Sequence, residues 1–277
     1  MSEVFAPLEI DTGEVIQLLT EFLRNEVEKV GYSRVIFGLS GGVDSAVVAA
    51  LAARAFPPDS IHAILMPYQT STESSKDDAR AVCTFLGLEP VISDISPQID
   101  AYFSRDASAT PSRRGNKMAR ERMTVLYDLS ERYRALVVGT SNKSELLLGY
   151  GTIFGDMAHA INPLGDMYKT QVFTLAKALD LPDQVRTKPP SADLWEGQLD
   201  EQELGFTYHE ADQILYYLVD ERRSPEEIEA IGHDRRIVHE ILQKVKQNQY
   251  KRRLPVIAKL GPRTIDRDFR YARDWGH

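Results

Sequence analysis

The run Ser40-Gly41-Gly42-Val43-Asp44-Ser45 joins an apolar stretch, Val35 to Leu39, to an alanine- and valine-rich helical stretch from Ala46 to Ala55. A strand that passes into a helix through two adjacent glycines turns without a Cβ clash. It also aims uncovered N–H groups and the positive end of a helix dipole at whatever lies in the turn. An anion is the expected occupant, with Gly38, Ser40, Gly41, Gly42, Val43, Asp44 and Ser45 as its contacts. The usual phosphate loop ends in Gly-Lys-Ser/Thr, whose lysine reaches the β- and γ-phosphates. That lysine is missing here, and an acid, Asp44, stands in the first helical turn. A carboxylate beside phosphates repels them unless a divalent cation lies between, so the loop predicts ATP together with Mg2+. A glycine-rich turn with no ligand is the plainer alternative.

The surrounding pattern gives the fold class. Val15, Leu18, Leu19, Phe22, Leu23, Val27 and Val30 recur near the helical period, predicting a helix over 11–30. Apolar runs at Val35–Leu39, Ile61–Met66, Pro90–Ile95 and Leu136–Val138 then alternate with helical patterns from Asp44, up to Leu86 and over Lys117–Tyr133. Strands separated by helices predict a doubly wound parallel α/β sheet flanked by helices, with ligands beyond the carboxyl ends of the strands. There stand Ser40 to Ser45, Pro67-Tyr68-Gln69 and Gly139-Thr140-Ser141-Asn142. After Pro182 comes a loop rich in proline and acids, then helical patterns over Thr207–Val219, Ser224–Ile231 and Asp234–Gln249. We expect one domain over 1–277, with a nucleotide-binding core at 1–181 and a loop and helical C-terminal extension at 182–277.

Bulk properties narrow the classes. The 277 residues, 43% hydrophobic, can bury a sizeable core. A formal charge of −8 opposes nucleic-acid binding, so no such partner is expected. The single cysteine, Cys83, reads as a core residue and excludes a disulfide framework or paired-cysteine zinc site within one chain. No apolar run approaches membrane-spanning length and no basic-then-apolar leader begins the chain, so a cytoplasmic protein without a membrane partner is expected.

The loop resembles the Ser-Gly-Gly-x-Asp-Ser signature of the PP-loop ATP pyrophosphatases, which have an adenine nucleotide alpha hydrolase-like fold; the resemblance implies cleavage between the α- and β-phosphates. Further stretches, in order, are similar to the ammonia-dependent NAD+ synthetases. They are Arg113 to Met123, Gly139-Thr140 with Glu145, Tyr150-Gly151 with Gly155-Asp156, Asn162 to Val172, Lys188 to Leu194, and Glu203-Leu204-Gly205. The resemblance covers most of the chain, from about Val35 to Arg253. The family adenylates the carboxylate of nicotinic acid adenine dinucleotide (deamido-NAD), releases pyrophosphate, and lets ammonia displace AMP.

The resemblance implies roles for individual residues. Asp44 and Glu145 would hold Mg2+; Thr140, Lys169 and Ser191 would contact ATP, with Lys169 and Asp44 also catalytic. Asn116, Arg120, Tyr127, Glu203 and Lys251 would hold the dinucleotide. Asp156 would attract ammonium and take its proton. Read alone, Glu145 favours a helix N-terminus, Lys169 is a solvated helix-start lysine, Tyr127 a core ring, and the five cations between Arg113 and Arg122 a solvated face. Met157-Ala158-His159-Ala160 and Tyr250 depart from the family pattern. Position 2 is serine and no glutamine-hydrolysing domain is seen before the loop, so free ammonia is expected, with a separate glutaminase left open. The family also implies a homodimer. Two alternatives are another PP-loop amidotransferase or ligase of the GMP synthetase kind, and a nucleotide sensor without turnover.

Overall fold

The computed structural model describes residues 8–106, 108–195, 197–253 and 256–263. Four parallel strands, β1 (Val35–Gly38), β2 (Ile61–Leu65), β3 (Val91–Ile92) and β4 (Leu136–Val137), stand in the order β3-β2-β1-β4. Val35 pairs with Ile61 on one side and with Leu136 on the other. The chain therefore moves outward from β1 to β3 and then crosses to the far side of β1. This reversal opens a crevice between the ends of β1 and β4, the usual ligand site of a doubly wound sheet.

Helices cover both faces because the strand side chains alternate. Val35 and Phe37 pack with α1 (Thr12–Lys29), α2 (Val43–Ala55) and α3 (Glu73–Leu86), whereas Ile36 and Ile64 pack with α4 (Ser96–Phe103) and α5 (Pro111–Tyr133). Helix α2 is buried nearly all round, from Ala46 to Ala52, and its small side chains let it lie between the sheet and its neighbours. Cys83 lies in this core, and burial pushes its thiol up to about 11, as an inert packing residue requires.

Helices α6 (Lys143–Leu148), α7 (Lys169–Ala178), α8 (Asp183–Thr187) and α9 (Asp200–Leu204) follow, then α10 (Tyr208–Leu215), α11 (Pro225–Ala230) and α12 (Arg235–Gln247). Leu148 and Tyr168, which flank the first two of these, share an apolar cluster with Tyr208, Ile214, Tyr217, Ile228 and Ile241. Helix α10 runs on into a wider π turn over Tyr216–Asp220. Two expectations shift. Helix α5 begins at Pro111, six residues before Lys117, because Thr110 caps it by accepting the Arg113 N–H. The predicted strand over Pro90–Ile95 shortens to Val91–Ile92, since Ile95 already leads into α4. Among the described residues no helix is long and apolar enough to cross a membrane.

Candidate active site

A cavity of about 490 Å3 opens at the crevice between β1 and β4, within the roughly 300–1,000 Å3 range of small-molecule sites. Its walls include Gly38, Ser40, Gly42, Asp44 and Ser45 from the first loop, Thr140 and Glu145 from the fourth, and Lys169 from the start of α7. The first loop is fixed by its own serines. The Ser45 hydroxyl donates to the Gly42 carbonyl at 3.0 Å and accepts the Ser40 N–H at 3.2 Å, while the Gly42 N–H donates to the Ser40 hydroxyl at 3.2 Å.

Gly41 has φ +85°, and a Cβ there would lie 2.4 Å from the Ser75 carbonyl oxygen. Both conditions forbid a side chain, because the obstacle is backbone. Gly41→Ala is expected to cost about 1–3 kcal/mol of stability and to raise the KM for ATP. Thermal melts with and without nucleotide check this, and an unchanged melting point together with an unchanged KM would contradict it.

Four groups form the charged centre. The Lys169 side chain is 3% exposed, and its ammonium donates to Asp44 Oδ2 at 2.6 Å and Glu145 Oε1 at 3.0 Å. Asn142 Nδ2 donates to Asp44 Oδ1 at 2.8 Å, and the Asn142 backbone N–H donates to Glu145 Oε2 at 3.2 Å. Lys169 is drawn inward because it is the first residue of α7. Its N–H donates to Ser144 Oγ at 2.9 Å, and the next N–H, from Thr170, donates to the buried Asp212 at 2.8 Å. Burial alone would lower the Lys169 pKa, but the charge of Asp44 and then that of Glu145 more than reverse this and hold it above the ordinary lysine range. Burial raises the Glu145 carboxyl above the usual carboxylate range, against the pull of Lys169 and with repulsion from Asp44.

This donor set fits a magnesium ion. Two carboxylates from α2 and α6 converge on one cationic point beside the phosphate loop, and Mg2+ takes oxygen ligands while keeping several waters. Among the described residues no group of three His, Cys, Asp or Glu could hold a metal. Asp44 and Glu145 are therefore the two carboxylates that would hold it.

Asp156 lines the same cavity. Its Oδ1 accepts the Thr152 N–H at 2.8 Å, and the Thr152 hydroxyl donates to Asn116 Oδ1 at 2.7 Å. Solvent reaches Asp156, yet protein atoms crowd its carboxylate, and this desolvation raises its pKa despite the Thr152 hydrogen bond. Lys251 donates to the Gly149 and Gly151 carbonyls at 2.7 and 3.0 Å, which pins the turn that carries Asp156. His159 packs under this turn. Its ring would touch a Cβ on Gly139 at 2.3 Å, so the departure at this position is accommodated by a glycine opposite it.

Glu203 and Ser191 also line the cavity. Glu203 accepts the Tyr150 hydroxyl at 2.6 Å, and the Ser191 hydroxyl donates to the Gln198 carbonyl at 2.7 Å. Lys188 donates to Asp78 at 2.7 Å and Ser75 at 3.1 Å, tying the segment that carries Ser191 to α3.

Arg120 and Tyr127 are not brought into this cavity. They strap the 152–158 loop onto α5 from outside, Arg120 through the Ile153 carbonyl at 3.2 Å and Tyr127 through the Ala158 carbonyl at 2.7 Å. Tyr68 also turns away, into the core, where its hydroxyl donates to Asp100. Of the five cations from Arg113 to Arg122, only Arg122 lines the cavity, with its Nε donating to the Met66 carbonyl at 3.1 Å. Arg114 and Lys117 instead lie over the rings of Phe103 and Tyr102.

The sequence placed Asn142 at the ligand edge and Tyr150 in a family stretch but assigned no individual role to either, nor to Gln198 and Asp200. Asn142 was detectable as the cap of the Asn-Lys-Ser-Glu box, and Asp200 as an acid opening a helix.

A family model described as NAD synthase matches residues 15–255. The NH(3)-dependent NAD(+) synthetase of Trichlorobacter lovleyi is 55% identical over 269 residues, covering 97% of this chain and 98% of the relative. That of Chlorobaculum tepidum is 52% identical, covering 97% of each. Among solved structures, an NMN synthetase from Francisella tularensis has a TM-score of 0.80 at 32% identity, covering 90% of this chain and 99% of that one. An NH3-dependent NAD synthetase from Campylobacter jejuni, in complex with the nitrate ion, has a TM-score of 0.77 at 33% identity, covering 91% and 100%.

Proposed function

Because the chain belongs to the NAD synthase family, we propose that its cavity joins free ammonia to the carboxyl group of nicotinic acid adenine dinucleotide, driven by ATP and yielding NAD+, AMP and pyrophosphate. The observation that carries this reading is the presence of two chemically distinct ends in one cavity: the phosphate loop with Asp44, Glu145 and Lys169, and the carboxylate of Asp156 beyond it.

ATP lies with its triphosphate on the Ser40–Ser45 loop. Asp44 and Glu145 would hold Mg2+, which would offset phosphate charge. A carboxylate oxygen of the dinucleotide attacks the α-phosphorus, the α–β bridge breaks, and the electron pair leaves with pyrophosphate. Lys169 follows the developing charge, since its ammonium reaches the edge of the loop and its donors are already desolvated. Thr140 and Ser191 hold the nucleotide. Asp156 attracts ammonium and removes a proton, the nitrogen attacks the acyl carbon, and AMP departs. Asn116 and Glu203 orient the pyridine end, and Lys251 acts by holding the Gly149–Gly151 turn. Arg120 and Tyr127 serve the part of the dinucleotide that extends outside the cavity. A homodimer is inferred from the family, and the exposed Phe154 beside them is consistent with a second copy covering this side. We also infer a single domain, because the helices after Pro182 complete the apolar cluster behind α6 and α7.

The test mixes protein, Mg-ATP, ammonium and nicotinic acid adenine dinucleotide and follows NAD+, AMP and pyrophosphate in equal amounts. ADP as the nucleotide product would refute α-phosphorus attack. The likeness to an NMN synthetase favours a second reading, amidation of nicotinic acid mononucleotide; a higher kcat/KM with that acid would replace the first.

A further inference from the structure

Asp44 and Glu145 reach the charged centre from different helices; the Lys169 ammonium offsets their repulsion, and a further, uncharged group fixes their orientation. Asn142, fully buried, touches both: its Nδ2 donates to Asp44 Oδ1 at 2.8 Å, its Oδ1 accepts the Glu145 N–H at 3.0 Å, and its backbone N–H donates to Glu145 Oε2 at 3.2 Å. Capping α6 requires only an acceptor, which serine, threonine or aspartate provides equally well. The residue present also carries a donor, and that donor is spent on Asp44. An amide can serve both ends at once, because one side chain holds acceptor and donor without adding charge.

We propose that Asn142 is a positioning residue that presents Asp44 and Glu145 as a matched pair to the divalent cation, a role separate from its capping of α6. The inference rests on the reading that these two carboxylates hold Mg2+. Asn142 itself touches neither substrate nor metal; it sets the carboxylates' rotamers. Loss of such an outer partner typically weakens metal affinity by about 10–100-fold.

Asn142→Ser separates the two roles, since serine keeps the cap but is too short to reach Asp44; Asn142→Thr does the same if serine weakens the fold. Full-length wild type, Asn142→Ser and Asp44→Asn are compared by thermal melting and by Mn2+ binding, followed by electron paramagnetic resonance with the α,β-methylene analogue of ATP present. The expected result is a melting temperature for Asn142→Ser close to wild type, with Mn2+ affinity lower by about 10–100-fold. A higher Mg2+ requirement for turnover, met by excess metal, should accompany it. Wild-type Mn2+ affinity in both Asn142→Ser and Asn142→Thr would reduce Asn142 to a cap and overturn the proposal. Wild-type affinity in Asp44→Asn would instead overturn the metal assignment beneath it.

Discussion

Lys169→Met is expected to lower kcat/KM for ATP by at least about 10²–10³-fold and to cost the fold about 3–5 kcal/mol. The Lys169 side chain is 3% exposed and its ammonium serves two carboxylates at 2.6 and 3.0 Å, so its removal leaves Asp44 and Glu145 facing each other without a counter-charge. Methionine keeps most of the volume, so the stability change reports charge rather than a cavity. A divalent cation can replace the missing charge. Mg2+ with an ATP analogue should therefore raise the melting temperature of the variant more than that of wild type, although turnover stays low for want of the donor. Chemical denaturation, thermal melts with and without metal, and initial rates test the three parts. A variant as stable as wild type would show that Lys169 does not balance the two acids.

Asp156→Asn separates the two half-reactions. Adenylation needs the phosphate loop and the charged centre, neither of which Asp156 touches, so pyrophosphate release in a single turnover is expected to survive. Amide formation should fall by about 10²–10⁴-fold, the usual contribution of a placed base. Desolvation raises the Asp156 pKa, and only its ionised form can accept a proton from ammonium. The sign follows: the wild-type amidation rate falls as pH drops through a value raised above that of an ordinary aspartate, and the asparagine variant lacks that limb. Over the pH range in which ammonium is the dominant form, a fixed total holds the substrate constant. Equal loss of pyrophosphate and amide would tell against the assignment.

Much of this arrangement is legible in the chain itself. The double glycine after β1, the alternation of strands with helices, and the acids at 44 and 145 mark one sheet edge, because period and turn chemistry are local properties; Asp156 enters only through the family resemblance. The strand order β3-β2-β1-β4 then brings the loops at 40 and 140 together. What escapes local reading is partner choice across long separations. Lys169 looks like a solvated helix start, but the buried Asp212, from α10, accepts from the Thr170 N–H beside it in the first turn of α7, and Asp44 and Glu145 receive its ammonium. Arg120 and Tyr127 lie on nearly the same face of α5 as Asn116, four and eleven residues further on, yet the 152–158 loop packs against that face and takes their side chains on its carbonyls outside the cavity. Arg122 reaches Met66 within it. Spacing along a helix defines a face; the neighbour of that face depends on the whole packing.

The most direct measurement is a crystal of the full chain grown with Mn2+ and the α,β-methylene analogue of ATP, with anomalous scattering used to locate the metal. The account predicts triphosphate density along Ser40–Ser45 and a Mn2+ peak between the phosphates and the carboxylates of Asp44 and Glu145. Nucleotide seated away from that loop, or a metal coordinated by neither acid, would contradict it.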